Sequence, residues 1–456
     1  MIYKTDGLQE LKAIYKFVWP LMVTYLLGTG LKLVDVWFYG KLGPKVMAAT
    51  SLGSLFVTIC GLALGNGMVT AIDTLVSQAF TGAHNSWTLG VILQRSIIIM
   101  GFFSLPVSFV WYYAENIMVM MGQDPQLATL AQVYINWAIP VLFPILISTA
   151  VRRFLQAIGK MHVTMYMILV LFPLNFLVDY VILEKLDLGM QGVAIQNFCF
   201  HLTVLIIYTS FLYFGTDFKN KYWPGWTQDA CRQWKTFLKL GVPGMLSVST
   251  DWAFEVCALV TGVLGETSLA AQSIVLSVNS FLLMIPYALS GALTVRLGHH
   301  IGANQPKKAK LCVILSIIVG FCLVSINAMI MFGFRQPIAR HFTKDDLVTE
   351  VVMTLITVVS PCHFGNGIIL SGVLNAFGKQ YVVATLNLTS YYMIGLPFGI
   401  WLTFSYGWGL LGVWSGVVIA GLIKVIGEAW YLVRYIDWQE ECNMAMKRIE
   451  DQELPL

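Results

Sequence analysis

The chain has 456 residues, of which only 11% are charged and 57% are hydrophobic, with a mean hydropathy of +0.73. A soluble domain carries roughly 25% charged residues, so 28 basic and 24 acidic side chains are too few to coat a soluble protein of this size. This composition excludes a soluble enzyme, a disordered chain and a nucleic-acid-binding protein, and the net charge of +4 says little about partners. We therefore expect the chain to lie in a lipid bilayer.

Twelve apolar segments follow one another along the chain, each long enough to cross a bilayer as a helix of about 20 residues. Their approximate bounds are 13–39, 47–78, 89–113, 128–152, 162–183, 189–214, 237–263, 268–296, 309–333, 346–376, 381–404 and 408–435. The longest polar connection separates the sixth segment from the seventh, and a charged tail follows the last. The predicted organisation is an N-lobe at 1–215, a cytoplasmic linker at 216–236, a C-lobe at 237–436 and a cytoplasmic tail at 437–456.

Basic residues are distributed unequally between the two sets of connections. If the N-terminus lies inside, the inner connections contain thirteen Lys and Arg residues and the outer connections contain six. Because basic residues concentrate in cytoplasmic loops, this bias places both termini in the cytoplasm. We expect a multi-pass protein of the plasma membrane or the bacterial inner membrane.

The two halves of the chain repeat each other. Leu155–Lys160 (LQAIGK) recurs as Leu374–Lys379 (LNAFGK), and Gly82–Asn85 (GAHN) recurs as Gly302–Gln305 (GANQ), at offsets of 219 and 220 residues. A repeat of six spans keeps the same orientation in both halves, which relates them by an axis along the membrane normal. The predicted fold is therefore an all-α polytopic membrane protein, with twelve transmembrane helices in two six-helix bundles related by a pseudo-twofold axis. A central cleft between two such bundles is typical of a transporter.

Polar side chains inside the spans mark a first candidate site. Asp35 lies near the outer end of the first span, and Asn175 and Asp179, four residues apart, share one face of the fifth. Asn197 in the sixth span could add an oxygen. Two carboxylates that meet in one bundle cannot both stay ionised without a cation between them, so these residues predict a coupling site for a proton or a hard monovalent cation. The alternative is a local pair of Asp35 with Lys32, three residues earlier.

A second candidate site lies in the seventh span. Asp251 and Glu255 are four residues apart and share one helix face. Unpaired, the two carboxylates would repel each other, so the pair suits the binding of an organic cation or the sharing of one proton. The alternative is that both residues cap the helix or face water near its end.

The sequence contains no motif for ATP binding or for catalysis. GxxxxGK[ST], HExxH and GxSxG are all missing, and the eight cysteines form neither a metal-ligand spacing nor a disulfide framework. We expect no catalytic residues, no metal site and no cofactor beyond the coupling ion, H⁺ or Na⁺. The expected protein is a monomer in the bilayer that binds small organic cations and no nucleic acid.

Three segments carry a resemblance to a known family. Val34–Gly40 (VDVWFYG), Ala71–Phe80 (AIDTLVSQAF) and Leu374–Gln380 (LNAFGKQ) resemble the multidrug and toxic compound extrusion (MATE) family, over nearly the whole chain. The resemblance implies twelve helices in two lobes and alternating access. It also implies efflux of amphipathic organic cations in exchange for Na⁺ or H⁺.

The resemblance also assigns residues to the first candidate site. Asp35 matches the first-helix Asp of prokaryotic members, and Asn175 and Asp179 match the fifth-helix Asn and Asp of the archaeal and related bacterial branch. Asn197 stands where that branch often has Thr. These matches imply ion coupling in the N-lobe.

In the C-lobe the resemblance is less complete. Glu255 matches a seventh-helix Glu of many members, and Asp251 falls about one position from a second acid of the eukaryotic branch. In the tenth helix many members carry an acid where this chain has Phe364, Gly365 and Asn366. We therefore place ion coupling in the N-lobe and substrate binding at Asp251 and Glu255.

The sequence leaves two other functions open. A flippase for lipid-linked oligosaccharides, in the same superfamily, would usually need more cationic residues in the cleft to hold pyrophosphate. A membrane-embedded enzyme is the alternative from a different class, and the repeat and the missing catalytic motifs argue against it.

Overall fold

The computed structural model describes residues 2–186, 188–215, 218–247, 253, 257, 260–261, 263–365 and 367–453. Within these ranges all of the regular secondary structure is helical, and no strand occurs. The predicted all-α class is therefore confirmed.

The first half of the described chain forms ten α-helices. They are α1 (Ile2–Lys41), α2 (Pro44–Val57), α3 (Ala63–Gly82), α4 (Trp87–Tyr112), α5 (Ala114–Met120), α6 (Pro125–Ala157), α7 (Met161–Asp179), α8 (Gly189–Phe214), α9 (Phe218–Lys221) and α10 (Trp234–Ser247). Two π-helical turns, Thr58–Leu62 and Tyr180–Lys185, follow α2 and α7, and a 3₁₀ turn, Gln228–Cys231, precedes α10.

The second half of the described chain also forms ten α-helices. They are α11 (Glu266–Gly302), α12 (Pro306–Gly333), α13 (Arg335–Phe342), α14 (Asp346–Val359), α15 (Cys362–Gly365), α16 (Ile368–Ala376), α17 (Gln380–Asn387), α18 (Leu396–Ser405), α19 (Leu410–Tyr435) and α20 (Trp438–Glu450). A π-helical segment, Leu388–Gly395, joins α17 to α18.

Ten helical segments of the described chain are long and apolar enough to cross a membrane. They are Gly7–Lys41, Pro44–Gly82, Trp87–Tyr112, Pro125–Ala157, Met161–Lys185, Gly189–Phe214, Glu266–Gly302, Pro306–Gly333, Asp346–Ala376 and Leu410–Tyr435. Each overlaps one predicted span. Of the other two predicted spans, 237–263 lies partly outside the described residues, and 381–404 is helical from Gln380 to Ser405.

Glycines allow close packing between α18 and α19. A Cβ built on Gly399 would lie 2.9 Å from the carbonyl oxygen of Val413, and one built on Gly416 would collide with the backbone of Gly395. Helices in lipid gain packing energy when small residues let their backbones approach. These glycines therefore set the contact between the two helices.

The chain divides into two compact units. One unit contains residues 1–22 and 246–445, and the other contains residues 23–245 and 446–456. These units group the start of α1 with the second half of the chain, whereas the prediction placed it in an N-lobe at 1–215.

Two contacts explain the position of the start of α1. Glu10 forms an ion pair with Arg296 at 2.8 Å, and Ile14 packs in one apolar cluster with Leu289 and Leu293. The lobe boundaries read from the sequence stay a prediction, because they were drawn from connections and not from contacts.

Candidate functional site

Three of the residues predicted for the first site meet within the unit 23–245. The side-chain nitrogen of Asn175 donates one hydrogen bond to Asp35 Oδ1 at 2.7 Å and another to Asp179 Oδ2 at 3.1 Å. Both N–H groups of the amide are therefore used on carboxylates. Two acidic side chains from different helices are thus held on a single nitrogen atom.

Two further side chains extend this network. Gln196 Nε2 donates to Asn175 Oδ1 at 3.3 Å, and the Tyr39 hydroxyl donates to Gln196 Oε1 at 3.0 Å. Asn175 is thereby held at both ends of its amide, by the carboxylates on one side and by Gln196 on the other. We call Asp35, Tyr39, Asn175, Asp179 and Gln196 the polar network.

Helix geometry explains why these five side chains face one another. Asp35 and Tyr39 are four residues apart on α1, and Asn175 and Asp179 are four residues apart on α7, so each pair lies on one helix face. The π turn Tyr180–Lys185 begins directly after Asp179. Such turns often occur at functional sites, because they change the direction in which neighbouring side chains point.

The polar network is buried to different degrees. Asp179 and Asn175 have no exposed surface, and Gln196 is 1% exposed, whereas Asp35 is half-buried. Among the described residues, no donor is in hydrogen-bonding geometry with Asp179 Oδ1, although this atom is buried. Buried polar atoms normally have partners, so this oxygen is available to bind a proton or a cation.

The chemistry of the polar network follows from its excess of acceptors. Two carboxylates at a low-dielectric position repel each other strongly, and one amide group offers them only partial positive charge. A proton on one carboxylate, or a monovalent cation between the two, would remove that repulsion. The site can therefore exist in two charge states, and the polar network contains no nucleophile activated by a base.

Asn197 lies one residue away from the polar network. The sequence predicts that Asn197 supplies an oxygen to this site, but its neighbour Gln196 makes the contact with Asn175. Asn197 itself is half-buried. Adjacent residues of a helix point about 100° apart, so only one of the two can face α7. The role predicted for Asn197 stays a prediction.

The local alternative for Asp35 does not form in the described chain. Lys32 is exposed, and the ion pairs of the described residues include none between Lys32 and Asp35. Asp35 is instead bonded to Asn175 on another helix. This contact between helices favours the prediction that Asp35 belongs to the first candidate site over a local pair with Lys32.

The second candidate site lies in a part of the seventh predicted span that the structure does not describe. Asp251 and Glu255 lie outside the described residues, and so does Asn366 of the tenth predicted span. Their proposed role in substrate binding stays a prediction from the sequence.

Sequence reasoning missed Gln196 and Tyr39. Tyr39 follows Asp35 by four residues, which places it on the same face of α1, and this spacing was a usable signal. Gln196 and Asn197 are adjacent polar residues in an apolar span. The sequence alone could not show which of them faces inward.

Two other polar clusters account for charged residues inside the spans. Asp73 on α3 forms an ion pair with Arg153 on α6. Glu428 on α19 accepts a hydrogen bond from Ser371 at 2.7 Å and lies 3.9 Å from Lys424. Each charge therefore has an opposite charge or a hydroxyl beside it, which is typical of a structural contact.

Comparison with known protein families supports the resemblance. The family model described as MatE matches residues 20–181 and 245–401. These two ranges cover most of the predicted spans in each half of the chain.

Relatives from a plant and from Xenopus match this chain over almost its whole length. Protein DETOXIFICATION 16 of Arabidopsis thaliana is 30% identical over 455 residues, which is 98% of this chain and 92% of that protein. Multidrug and toxin extrusion protein 1 of Xenopus tropicalis is 29% identical over 451 residues, which is 98% of this chain and 78% of that protein.

Solved structures support the fold. The crystal structure of the eukaryotic MATE transporter AtDTX14 matches with a TM-score of 0.91 at 23% identity, over 97% of this chain and 100% of that one. This similarity confirms the fold class, and the arrangement of twelve helices in two bundles is consistent with it.

Proposed function

Because the chain belongs to the MATE family of multidrug and toxin extrusion transporters, we propose that it is a secondary active antiporter for amphipathic organic cations. It exchanges them for H⁺ or Na⁺ by alternating access. In this proposal the protein acts as a monomer in the plasma membrane or the bacterial inner membrane, with both termini in the cytoplasm. The cations are bound by Asp251 and Glu255.

The observation that carries the proposal is the pair of carboxylates held by Asn175. Asp35 and Asp179 come from different helices and accept from the same nitrogen atom. Ionisable groups at membrane depth are costly and are usually kept for a function. An ion gradient can act on such a pair, because binding and release of H⁺ or Na⁺ change its charge.

Alternating access requires that this charge change is linked to helix position. Asp35 lies on α1, and Asn175 and Asp179 lie on α7, so neutralising one carboxylate changes what holds these helices together. A ligand shifts a conformational equilibrium only through a difference in its affinity for the two states. The coupling ion supplies this difference if it binds more strongly in one of them.

Transport from proteoliposomes tests the proposal. The purified protein is reconstituted, loaded with a fluorescent cationic dye, and given a pH gradient or a Na⁺ gradient, one at a time. Asp35→Asn and Asp179→Asn should each abolish gradient-driven efflux, because each keeps the shape of the side chain and removes its charge. Glu350→Gln, which removes an exposed acid on α14, should transport like the unchanged protein.

The outcomes separate the parts of the proposal. Efflux with only one gradient identifies the coupling ion. Normal efflux by both aspartate variants would contradict the coupling site. Efflux of the dye with neither gradient would contradict antiport itself.

A further inference from the structure

The segment 438–453, which follows the last spanning helix, is docked on the protein along one side. Cys442 and Ala445 on α20 have no exposed surface, and Ile449 is 4% exposed. These three residues are three and four positions apart, so they share one face of the helix. A tail surrounded by water would expose that face, so other parts of the protein must cover it.

The first part of the segment packs within the unit that contains α11 to α19. Glu441 forms an ion pair with Lys379 at 3.0 Å, and its side chain is only 3% exposed. The rings of Trp438 and Phe377 lie 5.6 Å apart, centroid to centroid. Cys442 belongs to the same apolar cluster as Phe377. A buried ion pair and an apolar contact therefore hold this end of the segment.

The last part of the segment belongs to the other unit, which begins again at residue 446. Arg95 Nη1 on α4 donates to Gln452 Oε1 at 3.0 Å, and the two residues are 2% and 5% exposed. The Glu453 carboxylate accepts from the backbone N–H groups of His84 and Asn85, the latter at 3.3 Å. Three hydrogen bonds hold this second end.

The two ends contact equivalent loops of the internal repeat. Gly82–Asn85 (GAHN) recurs as Gly302–Gln305 (GANQ), so His84 and Asn304 occupy the same position in the two halves. Glu453 binds the backbone of His84, and Gln439 Nε2 donates to Asn304 Oδ1 at 3.0 Å. In the predicted orientation both loops are cytoplasmic. The segment therefore binds the same cytoplasmic loop in each unit.

The chain between the two ends has a fixed length. α20 runs without a break from Trp438 to Glu450, which is nearly all of the chain between Gln439 and Gln452. An α-helix rises 1.5 Å per residue and is held by its own hydrogen bonds, so it cannot lengthen without unfolding. In alternating access one half of a transporter rocks against the other. One end of the segment must then release.

The second end is the one that releases more easily. Glu453 is half-buried and binds at His84, which is exposed, so water can replace the carboxylate there. Glu441 and Lys379, by contrast, are largely shielded from water. Separating a buried pair leaves a charge without compensation, which is costly, whereas contacts of exposed charges contribute little.

We propose that the segment 438–453 is a strap that slows opening toward the cytoplasm. Gln452 and Glu453 leave Arg95 and the loop 82–85 each time the protein opens on that side, while Glu441 stays on Lys379. This inference rests on the proposed function, because it requires alternating access. It goes beyond that function by naming the contact that limits one half of the cycle.

A single substitution at the second end tests whether the contact limits transport. Glu453→Ala removes the acceptor of two N–H groups, so gradient-driven dye efflux from proteoliposomes should become about two- to tenfold faster, which is the effect of about one hydrogen bond. Hydrogen exchange at His84 and Asn85 should also become faster. Glu450→Ala, which removes an exposed acid of the same helix, should change neither.

Reversible cross-linking tests whether the second end must move. Asn85→Cys with Glu453→Cys is joined by a bifunctional thiol reagent with a reducible bridge, in a chain whose exposed Cys231 and Cys322 are replaced by Ser. The cross-link should stop efflux, and a reducing agent should restore it. The matched pair, Asn304→Cys with Gln439→Cys, ties the segment to its own unit and should leave efflux unchanged when cross-linked.

The outcomes separate the strap from the antiport. Equal efflux rates of Glu453→Ala and the unchanged protein would overturn the strap, and so would equal effects of the two cross-links. In both cases efflux by the unchanged protein would still support antiport. Absence of efflux from the unchanged protein under either gradient would contradict the antiport, and the strap with it.

Discussion

Tyr39→Phe is the smallest change that tests whether the polar network acts as a unit. It removes one oxygen atom, whose hydrogen bond to Gln196 Oε1 is 3.0 Å long, and keeps the ring. Both side chains are buried, at 8% and 1% exposure. Among the described residues, the hydrogen bond lost is therefore the one at the end of the series that leads from Tyr39 through Gln196 to Asn175.

The expected magnitude follows from this geometry. A buried hydrogen bond contributes about 0.5–1.5 kcal/mol, and an acceptor left without a donor costs about 1–3 kcal/mol. If about 1 kcal/mol of this reaches the carboxylates through Asn175, the ion concentration that half-saturates transport shifts by about fivefold. The shift arises because a less firmly held Asn175 stabilises the ionised carboxylates less well, so the ion should bind more tightly.

The assay is dye efflux from proteoliposomes at a series of ion concentrations, with whichever gradient drives transport. Tyr381→Phe is the matched control, since it removes a hydroxyl that lies 2.9 Å from the Tyr431 hydroxyl in the other unit. It should leave the ion dependence unchanged. The same half-saturating concentration for Tyr39→Phe and the unchanged protein would refute the idea that Tyr39 and Gln196 act on the carboxylates.

Three further predictions concern other parts of the chain. Arg153→Gln leaves Asp73 without its ion-pair partner. Both side chains are partly exposed, at 23% and 18%, so thermal unfolding of the purified protein should show a loss of about 1–3 kcal/mol. Adding Asp73→Asn should restore part of this loss, and no loss would contradict a structural role for the pair. Single cysteines at Lys308 and Asp124 should be shielded and accessible, respectively, to an impermeant thiol reagent in intact cells, and the reverse pattern would contradict cytoplasmic termini. Glu255→Gln should weaken efflux of cationic dyes by about 5–150-fold and spare neutral compounds, whereas equal losses would indicate a role in ion coupling.

The sequence predicts the spans and the first candidate site for different reasons. Length and hydropathy alone predict apolar helices, and each of the ten spanning segments overlaps a predicted one. Asn175 and Asp179 could be paired because residues four apart always share a helix face. Asp35 is a candidate because ionisable groups inside apolar spans are usually functional, and the structure places it 2.7 Å from Asn175.

Two features could not be predicted from the sequence: which face of α8 points toward α7, and which unit the start of α1 belongs to. α8 is apolar around most of its circumference, so its sequence pattern does not show whether Gln196 or Asn197 faces α7. α1 is one continuous helix of 40 residues, yet its first 22 residues group with the second half of the chain. Such choices depend on contacts between residues that are far apart in the sequence, such as Glu10 and Arg296.

The arrangement of donors fits the proposed coupling of the polar network to an ion. Asn175 uses both of its N–H groups on Asp35 and Asp179, and its oxygen accepts from Gln196. The oxygen of Gln196 in turn accepts from Tyr39. Asn175 has no donor left, and no donor among the described residues is in hydrogen-bonding geometry with Asp179 Oδ1, so this oxygen is open to a further partner. In the proposed antiport, an arriving H⁺ or Na⁺ would supply the positive charge that the five side chains lack, and its release would leave the two carboxylates on one amide group again.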